Sequence, residues 1–182
     1  MKTDYIESAI YVIKNKKLLW VEIPKTGRSS VKLALGVRRP VTELPDNLDE
    51  YWKFSVVRNP WDRLVSLYHN FHPWEIPEEC TFTDFIKRDR SKDSPKLEYH
   101  ARTQVSYFSG LNIDDFHIIE FQNLKSEWSH INKKFKFHTP MLEHKNATRH
   151  EHYSVYYNDE TRQIVADQYK EDIKMFNYTE DI

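Results

Sequence analysis

The sequence predicts an α/β fold, on two short stretches and the distance between them. Each stretch is an apolar run that enters a polar turn and then a helical pattern. Leu18 to Ile23 leads into Pro24-Lys25-Thr26-Gly27-Arg28-Ser29-Ser30, and Phe54 to Val57 leads into Arg58-Asn59-Pro60-Trp61-Asp62-Arg63-Leu64-Val65-Ser66. One strand-helix-strand crossover separates them, which makes the two strands parallel and sets both polar turns at the same edge of the sheet.

Taken in order, Lys16 to Ile23 is short, apolar and closed by a turn, the pattern of a buried strand, and Trp52 to Val57 and Phe116 to Phe121 repeat it, giving at least three strands. Ser29 to Leu35 is a helix, joined to the next strand through a connection punctuated by Pro40 and Pro45. After Arg58 the start signals are Asn59 as N-cap, Pro60 at the first helical position and Asp62 in the first turn. The apolar stripe of this helix is Trp61, Leu64, Val65, Tyr68 and Phe71, which leaves Ser66 on the opposite face, open to a ligand lying over the helix. Leu124 to Phe135 is a further helix. Asn158 to Phe176 reads as one long helix, capped by Asn158, with Asp159 and Glu160 in its first turn and Val165, Tyr169, Ile173 and Phe176 as its buried stripe. The dense charge of Lys87 to Lys96, ending near Pro95, reads as a mobile surface loop.

A chain of 182 residues, 39% hydrophobic, suits a single domain spanning 1–182 around one core. With 27 basic and 28 acidic residues the net charge of −1 implies no general attraction to nucleic acid or to an anionic membrane, so any anion site must be local. Cys80 is the only cysteine, which rules out an intramolecular disulfide and a cysteine-rich zinc site and agrees with a reducing compartment, so a cytoplasmic location is expected. No apolar run approaches the roughly 20 residues of a membrane span, and Met1 to Asn15 is interrupted by Lys2, Asp4, Glu7 and Lys14, so the chain reads as soluble and without a leader. His69 and His72, at i and i+3, lack cysteine or carboxylate ligands at matching spacing and do not read as a metal pair.

A strand that ends in a Gly/Ser/Thr turn leaves backbone N–H groups and a helix N-terminus to receive a phosphate or sulfate, and two such seats suit a ligand with two anionic ends. The first loop is not the nucleotide-kinase pattern, in which the lysine follows the second glycine; Lys25 precedes Gly27. A lysine at the mouth of a short cradle can neutralise charge on a leaving bridging oxygen while Thr26, Ser29, Ser30 and the N–H groups hold terminal oxygens.

The strings P-K-T-G-x-S-S after one strand and V-V-R-N-P-x-x-R-L-V-S-x-Y after another resemble the sulfotransferases that use 3′-phosphoadenylyl sulfate, nearest the family 2 branch containing the carbohydrate sulfotransferases. His100-Ala101-Arg102-Thr103-Gln104, Phe121-Gln122-Asn123-Leu124 and Asn146-Ala147-Thr148-Arg149 through Tyr156-Tyr157 resemble later blocks of that family in the same order. Glu22 stands where many relatives carry histidine, Gln122 where glutamate is usual, and Arg28 where a small residue is common. The resemblance implies a three-layer α/β/α fold with a parallel central sheet and a P-loop-like first loop. It implies 3′-phosphoadenylyl sulfate as donor, adenosine 3′,5′-bisphosphate as product and no metal. Carried over by position, it puts Lys25, Thr26, Gly27, Arg28, Ser29 and Ser30 on the phosphosulfate, Arg58 and Ser66 on the 3′-phosphate, and Arg149 in the nucleotide set.

A hydroxyl acceptor needs a group to take its proton, and Glu43, in the connection after the first helix, and His100, at the head of its block, are the two candidates. Trp74, Tyr99 and Tyr107 are candidates for an aromatic platform under a sugar ring. The acceptor is a small molecule or, on the family's suggestion, a carbohydrate. So short a chain leaves a shallow acceptor cleft or one completed by a partner subunit, hence a homo-oligomer as one arrangement. Two other readings stay open at this point: a small ATP-dependent kinase, which calls for a Walker loop and an acidic magnesium ligand, and a non-catalytic nucleotide- or anion-binding module derived from a sulfotransferase.

Overall fold

The computed structural model describes residues 9–138 and 150–179 and resolves them into two compact units. One holds residues 9–57 and 106–138, the other residues 58–105 and 150–179.

The first unit is built on a four-stranded sheet of order β1 (Ala9–Ile13), β2 (Leu18–Glu22), β3 (Trp52–Val57) and β4 (Phe116–Glu120). β2, β3 and β4 are parallel, with Leu18 opposite Trp52 and Lys53 opposite Phe116, so the carboxyl ends of all three share one edge. The expectation of an all-parallel sheet is corrected by β1, which runs antiparallel to β2 with Ile13 opposite Leu18. The reason is connection length. Only the single turn Lys14–Lys16 and Lys17 join the two strands, Lys17 adopting φ 47°, whereas a parallel crossover needs a dozen residues or more.

Helix α1 (Arg28–Leu35) connects β2 to β3, and α5 (Leu124–Phe135), with the bounds its sequence pattern gives, follows β4. Both pack on one sheet face: Val31, Ala34 and Leu35 of α1 and Leu124, Trp128 and Ile131 of α5 close over Leu18, Trp20, Phe54, Val56 and Ile119. Leu19, Val21, Ser55 and Val57, which alternate with them, are buried as well, and burial on both faces is why β2 and β3 read as unbroken apolar runs rather than alternating ones.

The second unit is helical. Its α2 (Pro60–Phe71) begins as its sequence requires, the Asn59 carboxamide accepting from the N–H groups of Trp61 and Asp62. Trp61, Leu64, Val65, Tyr68 and Phe71 form the expected stripe, but Arg63, Ser66 and Leu67 are buried too, so the helix is covered on nearly every side. Around it lie α3 (Phe82–Lys87), α4 (Pro95–Ala101), α6 (Asp159–Gln168) and α7 (Lys170–Met175).

One further expectation changes here. The long helix from Asn158 is two helices, because Tyr169, at φ −110° and ψ 23°, leaves the helical well where its buried ring and its hydroxyl, donated to the Ala101 carbonyl, anchor it to the core. The charged stretch from Lys87 to Lys96 lies at the surface, as its composition implies, and makes contacts of its own: Arg88 forms a two-point ion pair with Asp93 at 2.7 and 2.8 Å, and Arg90 donates to the Tyr169 hydroxyl at 2.8 Å.

Candidate functional site

The first loop is shaped by two left-handed residues. Lys25 (φ 71°) and Gly27 (φ 82°) turn the chain from the end of β2 into the first turn of α1. Thr26, between them, is almost fully buried and its hydroxyl donates to the Ile23 carbonyl at 2.8 Å, so any contribution it makes to a ligand comes from its backbone. Ser30 N–H and Val31 N–H both donate to the Gly27 carbonyl, closing the first helical turn. Glycine is demanded at 27 on two counts: a side chain rarely takes that φ, and a Cβ there would stand 2.9 Å from Leu124 Cδ2 and 3.2 Å from Phe121 Cε2. The loop thus rests directly on the start of α5.

Electrostatically the loop is anchored from behind. Glu22, the last residue of β2 and 1% exposed, receives Arg28 at 3.0 Å and Lys32 Nζ at 2.6 Å. Tyr11 hydrogen-bonds the same carboxylate, and burial first, then the Glu22 charge, pushes its phenol far above the ordinary tyrosine range. Arg28, expected among the phosphosulfate ligands, is therefore engaged with Glu22.

The second block opens the helical unit. Arg58 grips Asp62 through Nε and Nη2, both at 2.7 Å, an i,i+4 bidentate pair on the first turn of α2. Ser66 is 5% exposed, which corrects its reading as an open face of the helix: the residues around it are buried in their turn. Arg149 lies outside the described residues.

Of the two proton-acceptor candidates, Glu43 sits on the exposed connection between α1 and β3. His100 sits in the last turn of α4, its ring edge on Phe71, with Nδ1 2.8 Å from the Lys96 carbonyl. A carbonyl can only accept, so Nδ1 carries the proton and Nε2 is the basic nitrogen of the neutral ring. Of the aromatic candidates, Trp74 stands 87% exposed and Tyr99 is half-buried, whereas Tyr107 is buried at 2% and cannot serve as a platform. His69 stacks on His150, and among the described residues no group of three or more His, Cys, Asp or Glu side chains is placed to hold a metal ion.

Asp172, which the sequence does not single out, joins Arg63 and Gln104 of the two quoted blocks in a buried polar network within the helical unit. Arg63 on α2, Gln104 after α4 and Asp172 on α7 are all at most 2% exposed. Arg63 Nη2 donates to the carbonyls of His100 and Arg102, and Nη1 lies 3.8 Å from Asp172. Asp172 accepts from the N–H groups of Gln104 at 2.7 Å and Val105 at 3.0 Å. Desolvation nonetheless pushes its carboxyl above the ordinary range, with Arg63 and the two N–H groups pulling back. The available signal was a carboxylate on an apolar stripe: Asp172 falls between Tyr169 and Phe176 at helical spacing.

Polar loops at the carboxyl ends of parallel strands define the class of open α/β proteins that receive their ligands at that edge. The sequence profile of the sulfotransferase family matches residues 37–179, most of the chain, and the chain belongs to that family. The match begins after the first loop, so the Lys25 to Ser30 reading stands on the loop's own geometry. No curated protein matches the chain.

Proposed function

We propose that this protein transfers a sulfuryl group from 3′-phosphoadenylyl sulfate to an acceptor hydroxyl, on a three-layer, P-loop-like scaffold. Membership of the sulfotransferase family supports sulfuryl transfer in general. The observation that carries the donor is the conformation of the first loop, two left-handed residues turning β2 into α1 with a lysine at the mouth. Lys25 to Ser30 take the phosphosulfate; Arg58, with Arg149, takes the 3′-phosphate, a group that ATP lacks.

The acceptor oxygen attacks sulfur in line, forming the new S–O bond as the bond from sulfur to the bridging oxygen breaks. Adenosine 3′,5′-bisphosphate leaves with the electron pair, and Lys25 neutralises the charge that develops on the bridging oxygen. The acceptor proton passes to Glu43 or to Nε2 of His100, and His100 has in its favour a basic nitrogen fixed by the Lys96 contact. The exposed ring of Trp74 suits a carbohydrate acceptor, which would stack on it.

Thermal unfolding in the presence of adenosine 3′,5′-bisphosphate or of ATP with Mg²⁺ tests the donor. A ligand at 100 times its Kd that binds only the folded chain adds about 2.7 kcal/mol. Stabilisation by the bisphosphate alone is the expected result; selective stabilisation by ATP with Mg²⁺ would sink the reading in favour of a kinase. Labelled donor offered with saccharides, phenols and peptides then reads transfer, and binding without transfer to any of them identifies a non-catalytic module.

A further inference from the structure

We infer that Gln104, locked by Asp172, is the residue that positions Arg58 to discriminate the 3′-phosphate of the nucleotide. The inference rests on the donor assignment above and adds to it a residue that touches no ligand.

The parallel ladder between β3 and β4 ends with Val57 opposite Glu120. Arg58 is the next residue. Its backbone is taken up by a side chain: Gln104 Oε1 accepts from Arg58 N–H at 2.9 Å, and Gln104 Nε2 donates to the Arg58 carbonyl at 2.8 Å. A primary carboxamide offers a donor and an acceptor side by side, as one residue of a neighbouring strand does, so the pair of bonds fixes Arg58 as a ladder would. Because Gln104 is fully buried, water does not compete for either bond.

Gln104 is held just as firmly. Asp172 accepts from its backbone N–H at 2.7 Å, from the next N–H, that of Val105, at 3.0 Å, and from its own Nε2 at 3.4 Å, which orients the amide with oxygen toward Arg58 N–H. Arg63 secures the approach by donating to the carbonyls of His100 and Arg102 at the end of α4. The chain of contacts runs from α7 through Gln104 to the backbone of Arg58, whose guanidinium is then aimed by its two bonds to Asp62. An arginine fixed at both ends loses little rotamer freedom when a phosphate arrives, so its selectivity depends on the clamp.

Titration calorimetry of the full chain with adenosine 3′,5′-bisphosphate and with adenosine 5′-monophosphate separates positioning from mere stability. In the parent protein the 3′-phosphate is expected to improve binding at least tenfold, the scale of one charge-assisted contact, roughly. In Gln104→Met, similar in shape and without the amide, that preference should fall about tenfold while the monophosphate binds as before. Loss of affinity for both nucleotides alike, or an unchanged preference, would overturn the inference and leave the donor assignment intact. A parent protein with no preference for the 3′-phosphate overturns both. Should Gln104→Met not fold, amide hydrogen exchange in the parent protein decides: strong protection of the Arg58 N–H is expected, and exchange at the rate of an open loop would refute the clamp.

Discussion

The carboxylate of Glu22 lies 3.0 Å from the guanidinium of Arg28, the one fully buried and the other more than one-third exposed. That asymmetry sets the cost of breaking the pair from either side. Truncating Arg28 leaves Glu22 still held by Lys32 and Tyr11, so Arg28→Ala should cost under about 1 kcal/mol, as an exposed ion pair does. Replacing Glu22 by glutamine removes the buried charge and leaves one acceptor oxygen where Arg28, Lys32 and Tyr11 shared two, and should cost about 1–3 kcal/mol. Urea unfolding of both variants checks the order; equal costs would mean that Glu22 does not anchor the loop.

Gly27 and Leu124 make the second test. Gly27→Ala must hold a side chain at φ 82° and press its Cβ to 2.9 Å from Leu124 Cδ2, so a loss of about 1–3 kcal/mol is expected from overpacking together with the backbone penalty. Adding Leu124→Ala relieves the contact but not the φ, and should return part of the loss relative to Leu124→Ala alone. A double-mutant cycle in urea measures it, and strict additivity would show that the close approach carries no energy.

What the sequence made legible follows from how local each signal is. The cap at Asn59, the helix Leu124–Phe135 and the strand Trp52–Val57 are written in neighbouring residues, and their bounds agree with the structure. The edge strand Ala9–Ile13 was missed because five apolar residues after a charged N-terminal stretch carry no period of their own, and only pairing with β2 makes them a strand. The break at Tyr169 was invisible for a related reason. Its helical pattern continues through the residue, while the contact that interrupts the helix is with Ala101, 68 positions away. The same holds around Arg58: its place between the end of β3 and the cap of α2 could be read from neighbouring residues, whereas the clamp of Gln104 on its backbone joins residues 46 positions apart. Ser66 was placed on an open face because a helical wheel counts one apolar stripe and cannot show that Arg63 and Leu67 are buried too.

His69 gives the protein a pH dependence whose sign is fixed by burial. Its Nε2 is buried with no hydrogen-bond partner among the described residues, its ring lies 5.3 Å from His150 in parallel, and Tyr156 and Tyr68 present their rings to it. Burial first, then the neighbouring His150 and His72, hold its pKa below the ordinary value of 6.5. The native state therefore binds fewer protons than the unfolded chain near that pH. This contribution to stability is complete above about 6.5 and is lost as pH falls through that value and then through the lower native one. Urea midpoints across this range should decline toward acid, and His69→Phe, which keeps an aromatic ring but cannot titrate, should flatten the decline. An unchanged slope in the variant would exclude His69 as its source.

The division of labour between Lys25 and Arg58 is the sharpest test of the proposed chemistry, because the two cations should fail in different kinetic terms. Lys25 is assigned to charge that exists only as the bridging oxygen leaves. Lys25→Ala should therefore lower kcat by about 10²–10³ while the affinity for adenosine 3′,5′-bisphosphate changes little. Arg58 is assigned to a phosphate equally charged before and during transfer, so Arg58→Ala should weaken donor binding by about 10–100-fold and leave kcat nearly unchanged. Part of that loss is repulsion, since removing the guanidinium leaves the half-buried Asp62 carboxylate without its 2.7 Å partner beside the incoming phosphate. Adding Asp62→Asn to Arg58→Ala should then recover some of the affinity. Steady-state kinetics with labelled donor and direct nucleotide titration separate the two terms, and variants that lose kcat and affinity in the same proportion would refute the assignment of one cation to each end of the donor.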